Sequence, residues 1–130
     1  MRRVADIESE LEAAPADARR FVALAEETLE LWLAAHGAEP TCGTSEGSRL
    51  LALHRQGARG DPSFNACRET CRELVYRQNL VAAAGEAGAP RDTGEQMRAL
   101  ALHLAYFIGG KLENAKLGEF CCSSRPLRVN

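Results

Sequence analysis

The fold is organised around one stretch of the chain, residues 61–85, which reads DPSFNACRETCRELVYRQNLVAAAG. Asp61 followed by proline is typical of a helix start, because aspartate caps free N–H groups and proline needs no partner for its own nitrogen. Gly85 is typical of a helix end. The stretch predicts one continuous amphipathic helix. Its inner face, on a helical projection, comprises Cys67, Cys71, Leu74, Val75, Gln78, Val81 and Ala82.

Apolar residues recur at helical spacing in four further segments, each bounded by glycine, proline or capping residues. Trp32, within the second of them, is expected to anchor the core. For the third, Thr44 or Ser45 is a candidate cap and Gly57 a candidate stop. We expect these helices over residues 3–14, 15–36, 46–56 and 93–117.

Length and composition indicate the fold class. A chain of 130 residues fits one domain, and 45% hydrophobic content is enough for a core. Leucine and alanine dominate, and both favour helices over strands. We expect an all-α protein: an antiparallel helical bundle of three long helices plus one or two short ones, in a single domain over residues 1–118. An irregular C-terminal tail is expected over residues 119–130.

Charge, hydropathy and cysteine content limit the cellular compartment and the kinds of partner that we expect. No run approaches the roughly 18 apolar residues of a membrane span, and the N-terminus turns acidic before a signal-peptide core could form. We therefore expect a cytoplasmic protein, with no membrane partner, whose five cysteines are reduced. A pI near 5.9 and few aromatic residues disfavour nucleic-acid binding.

The last predicted helix is apolar on two sides, which favours a central position or a shared interface. Its two consecutive glycines are unfavourable inside a helix, so the close approach of another helix is expected there. The sequence therefore predicts a homodimer, or another protein partner, through this helix. The candidate interface residues are Ala99, Leu102, Tyr106, Gly109, Gly110 and Leu117.

The cysteine pair carries two interpretations. Cys67 and Cys71 share a stripe with Leu74, and free cysteines commonly pack in cores as small hydrophobic residues. Thiols one turn apart can also share Cu(I), or Zn²⁺ if Cys121 and Cys122 converge on them, and they can undergo redox chemistry. Their spacing strains an intrahelical disulfide, and their place in the middle of the expected helix gives no N-terminal thiolate activation. One pair falls far short of the many thiols that line cysteine-rich copper-binding four-helix proteins.

No familiar catalytic motif is present, so an enzyme is the less favoured hypothesis. Lys111 is expected to extend to the surface rather than act as a catalytic amine. The sequence favours a small cytoplasmic interaction or regulatory module that self-associates and needs no cofactor. The first alternative is a thiol-based metal-binding or redox-sensing protein using Cys67 and Cys71. The second is a small-molecule or enzymatic pocket near Gln78, His103 and Tyr106.

Overall fold

The computed structural model describes residues 2–85 and 88–115. Over these residues the chain is helical and contains no β-strand, which confirms the expected all-α class. The elements are α1 (Val4–Ala13), α2 (Ala18–Ala35), α3 (Arg49–Ala58), a 3-10 helix (Pro62–Cys67), α4 (Arg68–Ala84) and α5 (Thr93–Ala115). The predicted tail, Leu117, Cys121 and Cys122 lie outside the described residues.

The core lies between helices that contact one another in the described part of the chain. Helix α5 contacts α1, α2 and α4, while α2 also contacts α3 and α4. Trp32 is buried among them, as the sequence predicts. Burial of large apolar side chains is the main stabilising contribution to such an arrangement. The largest fully buried side chains are Phe21, Phe64, Ile7, Leu11, Leu24, Leu29, Leu50, Leu53, Leu74, Met97, Leu104 and Ile108.

Helix α3 begins three residues later than predicted. Residues 45–48 form a tight turn closed by two backbone hydrogen bonds of 3.0 Å, with positive φ angles at Glu46 and Gly47. Because left-handed residues interrupt a right-handed helix, α3 starts after the turn, and Ser48 caps it by accepting from a backbone N–H of the first turn. The caps predicted at Thr44 and Ser45 are therefore wrong.

The stretch at residues 61–85 is two elements rather than one. Asp61 caps it as predicted, with its carboxylate accepting from the Ser63 N–H at 3.2 Å, but the chain then forms a 3-10 helix and α4 begins only at Arg68. A 3-10 helix has three residues per turn, so Phe64 and Cys67 lie on the same side and both are buried. Gly85 ends α4 with a φ of 75°, as predicted.

The far half of α4 is less buried than predicted. Cys71 and Leu74 are in the core, whereas Val81 is half-buried and Ala82 is exposed. Among the described residues, the predicted inward position is therefore wrong for Ala82.

Phe64 occupies the centre of an aromatic cluster, which we define as Trp32, His54, Phe64 and Phe107. The Phe64 ring centroid lies 5.3 Å from Trp32 and 5.8 Å from both His54 and Phe107. Such tilted contacts are favourable beyond the apolar area that they bury. The backbone of Phe64, which carries the contacts of the site, is therefore anchored by its own side chain.

Gly57 makes room for this ring. It is a buried residue inside α3 and not the helix stop predicted from the sequence. A Cβ atom at Gly57 would lie 2.7 Å from Cε2 of Phe64, closer than real Cβ contacts allow. The glycine is thus required by packing rather than by helix termination.

Candidate functional site

The candidate site joins three side chains from three consecutive elements: His54 of α3, Cys67 at the end of the 3-10 helix and Cys71 in the first turn of α4. The 3-10 geometry sets Cys67 beside Phe64, and Cys71 follows one helical turn later. All three side chains are buried, with exposures of 5% for His54, 1% for Cys67 and 0% for Cys71. Burial of both thiols confirms their predicted place in the core.

Two members of the site meet the same backbone oxygen. His54 Nε2 lies 2.8 Å from the carbonyl oxygen of Phe64, and the Cys67 thiol donates to that oxygen at 3.3 Å. A carbonyl oxygen only accepts, so Nε2 of His54 carries a proton and Nδ1 is the second titrating position of the ring. The Phe64 carbonyl therefore fixes the histidine tautomer.

The electrostatics of the site favour a thiolate at Cys67. A hydrogen bond from the Cys71 thiol lowers the pKa of Cys67 to about 5; burial opposes this, and a hydrogen bond and charge from His54 reinforce it. Burial lowers the pKa of His54, but its hydrogen bonds to Cys67 and to the Phe64 carbonyl raise it overall. The hydrogen bonds of Cys71 and His54 thus favour a Cys67 thiolate beside a His54 imidazolium, whereas the Phe64 carbonyl oxygen accepts a hydrogen bond only from the protonated Cys67 thiol.

Cys71 has the opposite role. Its hydrogen bond to Cys67, together with its burial, raises the pKa of the Cys71 thiol well above the ordinary value. Two coupled thiols whose pKa values are pushed apart behave as one anion and one proton donor. The pair therefore combines a nucleophilic sulfur with a second, protonated sulfur adjacent to it.

The position of Cys67 differs from the sequence prediction in a way that bears on its chemistry. It is the residue directly before α4, and so it lies at the helix N-terminus instead of in mid-helix. The positive end of a helix dipole stabilises an anion nearby. The predicted mid-helix position of Cys67 was wrong, because the sequence does not reveal where the 3-10 geometry ends.

His54 is the site residue that sequence reasoning missed. It is spaced four residues after Leu50 and three before Gly57, both of them buried, which places it on the inner face of α3. That spacing was a usable signal that the imidazole points inward. Nothing in the sequence showed that Cys67 would be the group it meets.

A surface cleft of about 230 Å³ adjoins the buried site. His54 lines it, so this residue belongs both to the cleft and to the buried site. The rest of the lining comes from the turn before α3, from α3, and from the residues around the start of α4: Ser45, Glu46, Leu51, Arg55, Ala58, Asn65, Arg68 and Arg72.

The other predicted site residues are dispersed. Cys42 is exposed in the loop after α2, and the other two cysteines of the predicted metal set, Cys121 and Cys122, lie beyond the described residues. Within residues 2–85 and 88–115, no group of three or more histidine, cysteine, aspartate or glutamate side chains is placed to hold a metal ion. Convergence of four sulfurs thus stays a prediction.

The predicted interface residues of α5 do not all face the same surroundings: one of them packs against α1, and others are exposed or half-buried. Gly109 faces α1, where a Cβ would meet Cγ1 of Val4 at 3.4 Å, so the approaching helix belongs to the same chain. Tyr106 is 51% exposed, Ala99 is exposed, and Leu102 is half-buried against the core. Gly110 is half-buried.

The residues predicted to form a small-molecule pocket do not line the cleft beside His54. His103 and Tyr106 are exposed on α5, and Gln78 is half-buried on α4. Lys111, predicted to extend to the surface, is 21% exposed; its Nζ lies 3.0 Å from an Asp61 carboxylate oxygen.

Comparison with known protein families, curated proteins and solved structures gives no significant match. Across the described residues, no helix has the length and apolarity needed to cross a bilayer. The geometry of the cysteine and histidine cluster is therefore the basis for a functional proposal.

Proposed function

We propose that this protein is a redox-active dithiol protein in which Cys67 reacts with a small hydroperoxide and Cys71 resolves the product. The observation that carries the proposal is that the His54 imidazole and the Cys67 sulfur lie 2.8 Å and 3.3 Å from one buried carbonyl oxygen, with Cys71 buried one helical turn away. Cys71 and His54 both lower the pKa of the Cys67 thiol. Thiolates, not thiols, are the nucleophiles in such chemistry, and an adjacent histidine is a common means of forming one.

The reaction proceeds in two balanced steps. The Cys67 thiolate attacks one peroxide oxygen, an S–O bond forms, the O–O bond breaks, and the leaving alkoxide takes a proton from His54. The product at Cys67 is a sulfenic acid. Cys71 then attacks the Cys67 sulfur, an S–S bond forms, and hydroxide leaves with the Cys71 proton as water. Two electrons pass from the two thiols to the peroxide.

Backbone geometry permits the resulting disulfide. Residues four apart in an α-helix have Cα atoms about 6.2 Å apart, inside the usual disulfide range of about 4.4–6.8 Å. Cys67 lies just outside the regular helix, so its backbone is less constrained than that of a mid-helix residue. A disulfide across a helical turn is strained and hence readily reduced, which suits a reversible redox role.

Burial restricts the oxidant. Both sulfurs are shielded from solvent, so a reactant must be small enough to enter beside His54. Hydrogen peroxide meets this requirement, whereas a protein disulfide requires the site to open. We therefore favour a peroxide-sensing or peroxide-reducing role.

The test uses a protein in which Cys42, Cys121 and Cys122 are serine, so that only the pair remains. Hydrogen peroxide should remove two hydrogen atoms from the intact mass, and a thiol reductant should restore them. With Cys71→Ser added, the reaction should stop at a Cys67 sulfenic acid, which adds one oxygen atom to the intact mass. A protein retaining Cys42 alone is the control for an ordinary exposed thiol. Oxidation of Cys67 no faster than that of Cys42 would disprove the proposal.

A second candidate is an interaction module that self-associates in the cytoplasm through the outer face of α5. Tyr106, a large aromatic residue that is half exposed, supports it, together with Ala99 and Leu102 at helical spacing on α5. Sedimentation velocity over a range of concentrations tests it, with Leu102→Glu as the disrupting variant. A concentration-independent monomer would count against it.

Two finer proposals accompany these functions. The lengths of α2, α4 and α5 and their mutual contacts support an antiparallel bundle of three long helices. The alternative use of the thiols is metal binding, in which Cys67 and Cys71, together with the C-terminal cysteines, hold Cu(I) or Zn²⁺. The metal content of the purified full chain, with and without Cys67→Ser, distinguishes metal binding from peroxide chemistry.

A further inference from the structure

The cleft beside His54 has an excess of positively charged side chains. Three arginines, Arg55, Arg68 and Arg72, line it against one carboxylate, that of Glu46. Arg72 is neutralised locally, because it lies 3.3 Å from Glu46 and 3.4 Å from Glu69. Arg55 and Arg68 form no ion pair with the described residues. Two uncompensated cations therefore border one small concave surface.

The cleft also offers neutral hydrogen-bonding groups and a suitable size. Ser45 contributes a hydroxyl and Asn65 an amide to the lining. Its volume of about 230 Å³ is below the roughly 300–1,000 Å³ of pockets that hold drug-sized molecules. Arginine guanidinium groups bind phosphate oxygens in pairs of parallel hydrogen bonds, which makes them the preferred residues for this anion.

We infer that this cleft binds the phosphate group of a small phosphorylated compound, held by Arg55 and Arg68, with the anion placed beside His54. A bound anion next to His54 favours its imidazolium form, which is the proton donor to the leaving oxygen in the proposed peroxide step. This second effect rests on the function proposed above, whereas phosphate binding itself does not. Inorganic phosphate and a phosphate ester share the recognised chemistry.

Glu46 repels an incoming anion, so removing its charge should strengthen phosphate binding, whereas removing an arginine charge should weaken it. Neutralising Glu46 removes a negative charge from the cleft while Arg72 keeps its ion pair with Glu69, so Glu46→Gln should strengthen binding about threefold. Arg55→Gln and Arg68→Gln should each weaken binding about tenfold. Arg19→Gln, an exposed arginine on α2, is the matched control and should leave the affinity unchanged.

Binding is measured on the full chain by NMR titration at constant ionic strength, with inorganic phosphate, glycerol 3-phosphate and acetate as separate probes. The His54 ring signals should shift and saturate with both phosphates, and more weakly with acetate. Tighter binding of glycerol 3-phosphate than of phosphate identifies an ester ligand, and equal binding identifies the free anion. Acetate binding as tightly as phosphate, or equal loss in Arg19→Gln and Arg68→Gln, overturns the assignment.

A parallel measurement separates the two proposals. The rate at which hydrogen peroxide oxidises Cys67 is recorded with and without saturating phosphate, and should rise when phosphate binds. Saturable phosphate binding with an unreactive Cys67 would refute the dithiol function and leave the anion site standing. A reactive Cys67 without saturable phosphate binding would refute the anion site alone.

Discussion

Replacing Cys71 with alanine removes the largest single contribution to the low pKa of Cys67, namely the hydrogen bond from the Cys71 thiol. His54 remains in place in this variant, and its hydrogen bond still lowers the pKa of Cys67. Burial, which acts in the opposite direction, also remains. The pKa of Cys67 should therefore rise from about 5 towards the range of an ordinary cysteine.

The expected loss of reactivity follows from the thiolate fraction of Cys67 at pH 7 with and without the pKa shift. With a pKa of about 5 for Cys67, roughly 99% of the sulfur is thiolate at pH 7, whereas an ordinary thiol with a pKa of about 8.5 is only about 3% ionised. If the whole shift were lost, the thiolate fraction would fall about 30-fold. Because His54 retains part of the effect, we expect a decrease of between about 3-fold and 30-fold.

The assay is thiolate absorbance at 240 nm across pH 3–10, combined with the rate of Cys67 oxidation by hydrogen peroxide at pH 7, in the background that lacks the other three cysteines. Cys71→Ser is the matched control, since its hydroxyl keeps a donor at the same position while it likewise forms no disulfide. The serine variant should retain most of the low pKa of Cys67. A wild-type midpoint above pH 8, or equal midpoints in the alanine and serine variants, would refute the reasoning.

Three stability predictions can be checked by urea denaturation. Gly57→Ala should lower the free energy of unfolding by about 1–2 kcal/mol, because its Cβ would meet the anchored Phe64 ring at 2.7 Å and this overpacking exceeds the gain in helix propensity. Gly109→Ala should instead raise it by about 0.5–1 kcal/mol, because its Cβ makes only an ordinary 3.4 Å contact with Val4; a gain in both alanine variants would contradict the assigned packing. Thr93→Val should raise it by about 1 kcal/mol, because the buried Thr93 hydroxyl has no hydrogen-bond partner among the described residues; no gain over Thr93→Ser would show that the hydroxyl is satisfied.

The sequence alone determined the helical class, the approximate helix positions and the burial of both thiols. These properties depend on periodicity and on local chemistry, which neighbouring residues supply. The cap at Asp61 and the end at Gly85 are examples, since each acts on backbone groups within one turn. The tail and the C-terminal cysteines stay at the level of sequence prediction.

The tertiary structure decided which groups meet the thiols. The 3-10 segment before α4 exists where Phe64 packs against Gly57 of another helix, and that packing sets Cys67 at the start of α4 beside His54. A single sequence shows that Cys67 and His54 both face inward, but not the crossing of α3 and α4 that brings them together. The two thiols are therefore part of the core by sequence, and they become a chemically distinct pair only through the contact between helices.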